Sequence, residues 1–161
     1  MRILGIDYGD ARVGIAVSDA LGITAQGLET IHHKGNDKLV LKRLDEIFEQ
    51  YEVDTIVVGM PFNMDGTKTF RAEATEKFIH KLKCKYNKKK IETVDERLTT
   101  VAAHKTMNFL DVNKNKKKNI VDTISAVYIL ETYMNKNKIW NLNVNKLYKI
   151  KKTIAKSLSI V

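Results

Sequence analysis

The chain opens Met-Arg-Ile-Leu-Gly-Ile-Asp-Tyr-Gly-Asp, an apolar strand that delivers one carboxylate, Asp7, where a glycine lets the backbone turn. Arg2 to Ile6 is mostly apolar on both faces, and a strand with two apolar faces belongs inside a sheet. Gly9-Asp10 is a turn pair. Arg12 to Ser18 alternates and is rich in small and β-branched residues, which predicts a hairpin returning beside the first strand. Asp7 is therefore expected at an edge of the sheet, facing solvent. An acid at a strand end either bonds turn amides or takes part in chemistry.

Further along, Leu21 to Gln26 reads as a turn and Glu29 to His32 as a third strand. Val40, Leu44, Ile47, Phe48 and Tyr51 recur at helical spacing and predict an amphipathic helix from Asp37 to Tyr51. The β-branched run Thr55 to Met60 predicts a buried parallel strand, and Pro61 to Thr69 a polar loop holding Asn63, Asp65 and Gly66. Phe70 to Tyr86 reads as a helix with Ala74, Phe78 and Leu82 on one face, and Ile91 to Val94 as a strand leading into Asp95-Glu96-Arg97. Thr99 or Thr100 is suited to cap a helix beyond it. Asn113 to Asn119 has no apolar period and reads as a mobile Lys-Asn segment, whereas Ile120 to Met134 returns to helical spacing through Ile124, Tyr128 and Leu130. Three strands followed by strand-helix alternation predict an α/β fold, a mixed five-stranded sheet flanked by helices.

At 161 residues with 43% apolar content, the chain is long enough for one domain with a sizeable core. Cys84 is the sole cysteine, so no internal disulfide forms, and no His is paired with it in a metal or nucleophile pattern. Asp7 and Asp10 interrupt any secretory signal, and no apolar run is long enough to span a bilayer. A soluble cytoplasmic protein is expected. The formal net charge of +9 implies an acidic partner, nucleic acid above all. Seven lysines and no acid follow Glu131, leaving +2 for the rest, with further lysine clusters at Lys81 to Lys90 and Lys114 to Lys118. Each cluster taken alone reads equally as a solvated face in a Lys- and Asn-biased chain.

Parallel strands end on the same side of a sheet, so Asp7 and Asp95-Glu96 are expected to meet at the carboxyl edge where α/β proteins bind ligands. Asp122 joins them from the first turn of the last core helix, its small and apolar neighbours Ala126 and Ile129 turning it toward the sheet. Hard oxygen donors without His or Cys suit Mg²⁺ or Mn²⁺ rather than zinc. Two such ions roughly 3.5 to 4 Å apart activate water for phosphodiester cleavage. Each acid also has a plainer reading. Asp122 at the third position of a helix capped by Asn119 meets the helix dipole, and Glu96 beside Arg97 makes a surface ion pair.

These residues resemble the YqgF-type, RuvC-like nucleases of bacteria, a family described both as pre-16S rRNA nucleases and as Holliday junction resolvases. The resemblance rests on Gly-Ile-Asp-Tyr-Gly-Asp-Ala-Arg-Val-Gly-Ile-Ala-Val-Ser-Asp from Gly5 to Asp19 and on Leu21 to Gln26. It continues through Val57 to Thr67, Asp95 to Thr100 and Val121 to Leu130, in order over Met1 to about Asn135. It implies an RNase H-like fold over residues 1–135, with Asp7, Glu96 and Asp122 as metal-binding catalytic acids. It also places Arg12 and Arg97 in family motifs as phosphate or carboxylate partners, and Asn63 in a loop that faces either a phosphate or an ordinary turn. Gly27, Ala102 and Ser125 depart from the family's usual proline, acid and alanine.

Residues 136–161 form a basic extension without a family counterpart, with Leu147, Ile150, Ile154 and Leu158 at helical spacing. Nucleic acid is its first expected contact, packing on the domain the second and an anionic membrane the third. The function expected is metal-dependent cleavage of structured nucleic acid with water as nucleophile. The resemblance favours the 5′ end of pre-16S rRNA, and hence the pre-ribosomal small subunit as partner, with branched DNA as the competing substrate. Lys114, Lys116, Lys117 and Lys118 are expected to hold the substrate backbone. His32, His33, His80 and His104 are expected to be ordinary surface or helix residues. A binding module without turnover is the rival from another class. An actin-like ATPase, whose phosphate hairpin the opening also resembles, would need a second domain for which the chain has no room.

Overall fold

A computed structural model describes residues 1–63, 65, 67, 69–96 and 121–137. Its centre is a five-stranded sheet in the order β3-β2-β1-β4-β5. The strands are β1 (Arg2–Tyr8), β2 (Arg12–Ser18), β3 (Ala25–His32), β4 (Val53–Met60) and β5 (Lys90–Asp95). β1, β2 and β3 pair antiparallel in sequence, while β1 pairs parallel with β4 and β4 with β5. The mixed five-stranded sheet expected from the sequence is thus present, with β1 in the middle.

Period-two alternation along the strands divides the residues between two layers. Leu4 and Ile6 of β1, Val13, Ile15 and Val17 of β2, and Ile56, Val58 and Met60 of β4 form the main core. Helices α1 (Asp37–Gln50) and α2 (Phe70–Lys85) cover that face with Val40, Leu44, Ile47, Phe78 and Leu82. Residues 121–137 are helical, α3, and cover the opposite face. There Ala126, Leu130 and Met134 pack on Ala16 and Ile3, and Ile129 on Val57 and Val94. The helices start where side-chain oxygens satisfy free amides. Asn36 accepts from Lys38 N before α1, and Thr69 Oγ1 accepts from Ala72 N before α2.

The boundaries of α1 and α2 fall within one residue of expectation, Tyr51 and Tyr86 serving as C-caps rather than last turns, while α3 runs on to residue 137, past the Met134 expected. Three expectations need correction. β3 begins at Ala25, not Glu29, because Ser18, Val17 and Ala16 pair with Ala25, Gln26 and Gly27 through the backbone, which apolar periodicity does not register. The buried face of α2 is Ala72, Thr75, Phe78, Ile79 and Leu82, with Ala74 beside it rather than on it. Asp7 stands on the central strand, half-buried on the side that α3 covers, rather than at an outer edge of the sheet, because odd positions of β1 point to that layer. The expected cap at Thr99 or Thr100, the Asn113 to Asn119 segment and residues 138–161 lie outside the described residues.

Candidate active site

Asp7 shares its face of β1 with Ile3 and Gly5, and Arg12 shares its face of β2 with Gly14 and Ala16; both rows look toward α3. α3 comes so close that a Cβ on Gly14 would lie 1.9 Å from the carbonyl oxygen of Asp122. Only a residue without a side chain permits that approach, and it brings the first turn of α3 over the end of β1. On the other flank, a Cβ on Gly59 would lie 2.2 Å from Glu96 Oε1, so Gly59 opens the space that the Glu96 side chain occupies after β5. Two glycines thus seat two of the three acids.

The result is a cleft of about 280 Å³ at the carboxyl ends of the strands, lined by Asp7, Glu96 and Asp122 with Arg12, Arg71, Pro61 and the turn from Tyr8 to Ala11. All three sequence-predicted acids open onto it. A second cleft of about 200 Å³ lies between β5 and α3, lined by Lys90, Glu92, Tyr133 and Lys136 among others. It holds lysines beside its acids and none of the three converging carboxylates.

Electrostatics in the first cleft reflect crowding. Burial, reinforced by the nearby charge of Asp122, pushes the Asp7 carboxyl up to about 6, against the opposing pull of a Ser125 hydrogen bond and of Arg71. Burial and the charge of Asp7 likewise push Glu96 up to about 7, with Arg71 again pulling downward. Asp122 is restrained by charge pairing: Arg12 Nε donates to its Oδ2 at 2.6 Å. Arg12 therefore acts as the carboxylate partner, one of the two roles its motif allowed.

The donor set suits a hard divalent cation, because two half-buried carboxylates that repel one another are relieved by a positive charge between them. The third acid does not complete a ligand set in this arrangement. Among the described residues no group of three or more His, Cys, Asp or Glu side chains is placed to hold a metal, and Asp122 is paired with Arg12. Asn63 stands apart from the cleft: its Nδ2 donates to Thr67 Oγ1 at 2.8 Å and its amide to Thr67 O at 2.9 Å, closing an ordinary turn. Arg97, Lys114, Lys116, Lys117 and Lys118 lie outside the described residues.

Several residues escaped the sequence reading. Arg71 lines the cleft from the first turn of α2, where helical periodicity marks only the buried face. Ser125, noted as a departure from the family, hydrogen-bonds Asp7. His33 is not a surface residue but is 1% exposed, its Nε2 2.9 Å from Gly9 O, behind the turn that leads to Arg12. Tyr8 stacks on Phe78 with ring centroids 4.3 Å apart and donates its hydroxyl to Asp37 Oδ1 at 2.8 Å. Cys84 does have a His neighbour, His80 Nδ1 at 3.7 Å one helical turn away, but both lie on the exposed side of α2.

A family model described as "RuvX: Holliday junction resolvase" matches residues 1–136. The chain belongs to the RuvX family. A RuvX relative from Ruminiclostridium cellulolyticum, named "Putative pre-16S rRNA nuclease", is 54% identical over 136 residues, covering 84% of this chain and 95% of the relative. A protein of the same name from Acetivibrio thermocellus is 52% identical over 134 residues, covering 83% and 95%. Among solved structures, T. thermophilus RuvC in complex with Holliday junction substrate superposes with a TM-score of 0.51 at 14% identity, covering 84% of this chain and 96% of that one. At that identity the likeness shows the fold alone, and it bears out the RNase H-like architecture expected for a RuvX protein. No helix among the described residues is long and apolar enough to cross a membrane.

Proposed function

We propose that this RuvX-family protein is a divalent-metal-dependent nuclease that hydrolyses phosphodiester bonds of structured nucleic acid. Its main substrate is the 5′ end of pre-16S rRNA on the pre-ribosomal small subunit in the cytoplasm, and the alternative is branched DNA. One observation carries the reading: Asp7, Glu96 and Asp122, from two strand ends and a helix start, open onto one cleft. The names of the relatives support the RNA substrate, and the description of the matching family model supports the branched one.

Asp7 and Glu96, joined by Asp122 once it is released from Arg12, would hold Mg²⁺ or Mn²⁺, which would supply Lewis-acid activation of water and charge stabilisation at the leaving oxygen. The chain's own residues prepare that site. A side-chain hydrogen bond from Ser125 favours the charged form of the Asp7 carboxyl. Arg12 orients Asp122 through a charge-assisted bond that involves only one of its two oxygens. Burial of Asp7 and Glu96 keeps their charges in a poorly screened environment, where a positive centre binds more strongly than it would in water.

The test compares the full-length protein with Asp7→Asn on a labelled pre-rRNA fragment and on a four-way DNA junction. Similar binding by both proteins, with cutting only by the unsubstituted one and only with Mg²⁺ or Mn²⁺, supports the proposal. Binding by both and cutting by neither, on either substrate, makes the protein a binding module instead. The preferred substrate is the one cut faster at equal occupancy.

A further inference from the structure

We propose that Phe70 and Arg71, in the first turn of α2, form a nucleotide subsite beside the acidic cleft, Arg71 gripping a backbone phosphate and Phe70 stacking on an unpaired base next to it. The inference rests on the nuclease reading above and adds a substrate feature to it, an unpaired nucleotide beside the bond that is cut.

The argument begins with charge. Four carboxylates line the cleft, those of Asp7, Asp10, Glu96 and Asp122, whereas Arg12 and Arg71 are the only cationic side chains among the described lining residues. A polyanion approaching such a surface needs a cation that is free to meet it. Arg12 is committed, with its Nε 2.6 Å from Asp122 Oδ2 and its side chain 32% exposed. Arg71 is 70% exposed and pairs only loosely, its Nε 3.8 Å from Asp10 Oδ2 on a side chain that is itself 64% exposed. An exposed pair at that separation contributes little, so the guanidinium exchanges Asp10 for a phosphate at small cost. Its planar fork matches two phosphate oxygens, which a lysine could not do.

Position is fixed by the loop before the helix. Thr69 Oγ1 donates to Pro61 O at 2.8 Å and accepts from Ala72 N at 3.1 Å, tying the start of α2 to the cleft wall that Pro61 forms. Ala72 and Thr75 are fully buried and set the rotation of the helix. That rotation leaves Phe70 outward. At 86% it is the most exposed large hydrophobic side chain among the described residues, and the core of α2 does not include it. An aromatic ring next in the chain to a phosphate-seeking arginine has the composition of a single-strand platform, where stacking holds any base and the cation holds the backbone. A base inside a duplex offers no free face, so the platform selects an unpaired one.

The experiment uses full-length Asp7→Asn, which is expected to bind without cutting. The probes are an RNA hairpin carrying 2-aminopurine in its single-stranded loop and a fully paired duplex of the same length. Both target residues are exposed, so thermal midpoints should not change. Phe70→Ala should weaken hairpin binding roughly tenfold or more and abolish the 2-aminopurine quenching, leaving duplex binding unaltered. Phe70→Trp should restore both signals, and Phe70→Leu, apolar but not aromatic, should restore neither. Arg71→Ala should lower the slope of log affinity against log salt by about 0.7, and Arg71→Lys should recover the slope. Unchanged hairpin affinity, quenching and salt slope in Phe70→Ala and Arg71→Ala would overturn the subsite while leaving the nuclease reading intact. Failure of the parent Asp7→Asn protein to bind either probe would overturn both.

Discussion

Arg12 and Asp122, 110 positions apart in the chain, meet at 2.6 Å, Nε to Oδ2, and join β2 to the first turn of α3 at the mouth of the acidic cleft. The pair sets a competition. A carboxylate engaged by a guanidinium is a weaker ligand for a divalent cation, so the bond that positions Asp122 also restrains it.

Arg12→Gln should therefore raise Mn²⁺ affinity several-fold in a calorimetric titration, since Asp122 loses its internal cation. The pair is partly exposed, so the stability cost should stay below about 1 kcal/mol, a drop in Tm of a few degrees. Cleavage should fall nonetheless, because the freed carboxylate is no longer oriented. Unchanged Mn²⁺ affinity would mean that Asp122 already serves the cation with its other oxygen.

A second expectation concerns pH in the absence of metal. Asp7 is pushed up to about 6 in the folded chain from an ordinary 3.8, mainly by burial. The folded state therefore holds its proton more tightly than the unfolded chain. Stability from this group is fully present below about pH 4, declines as pH rises, and is gone above about pH 6. In EDTA, Asp7→Asn should then exceed the unsubstituted protein by ~1–3 kcal/mol at pH 8, with the gap closing near pH 4. Urea unfolding at pH 4, 6 and 8 measures it. A constant gap across that range would show that burial of the charge is not what strains the site.

Gly14 and Gly59 offer a contrast in what an added methyl group would strike. On Gly14 it meets backbone, the Asp122 carbonyl oxygen at 1.9 Å and carbon at 2.4 Å. On Gly59 it meets side-chain ends, Glu96 Oε1 at 2.2 Å and Ile129 Cδ1 at 2.4 Å, which are able to turn aside. Gly14→Ala should cost ~3 kcal/mol or more, as overpacking does when the backbone must shift, and should abolish cleavage by displacing Asp122. Gly59→Ala should cost about half as much and lower activity through Glu96. Thermal unfolding and cleavage rates measured together check the order; the reverse order would place the tighter packing at β4.

Much of this arrangement is legible in the sequence, and the reasons are local. Asp7, Glu96 and Asp122 each follow or open a strongly patterned element, and such elements declare their ends. Their convergence follows from the parallel direction of β1 and β5. The extent of β3 was hidden because an edge strand with Ala25, Gln26 and Gly27 pairs through backbone alone. The burial of Asp7 was hidden because its roof, α3, arrives from more than a hundred positions away. Arg71 carried no signal, and Ser125 only its departure from the family's usual alanine, since helical spacing identifies the buried face of α2 and the apolar stripe of α3 but not which polar neighbour leans over a cleft.

His33 gives the last expectation, because it supports the site from behind without touching it. Gly9 O is only an acceptor, so the ring nitrogen 2.9 Å from it, Nε2, carries the proton and donates. The backbone amides of His33 and Lys34 both reach Ala11 O, at 3.0 and 3.2 Å, so this corner grips both sides of the turn that lines the cleft. Nδ1 is buried, 3.9 Å from Asp37 Oδ1, with no hydrogen bond among the described residues. Only one of the two nitrogens is therefore needed to hold the turn. His33→Ala should cost ~2–4 kcal/mol through the lost side chain and the unmet carbonyl. It should also lower kcat more than it raises KM, because a loosened turn misplaces Asp7 and Arg12 in every bound complex. His33→Gln, whose amide nitrogen is able to reach Gly9 O, should recover kcat before it recovers full stability. Equal loss of kcat in the Ala and Gln variants, assayed well below their unfolding temperatures, would show that the ring fills space and does not hold the turn.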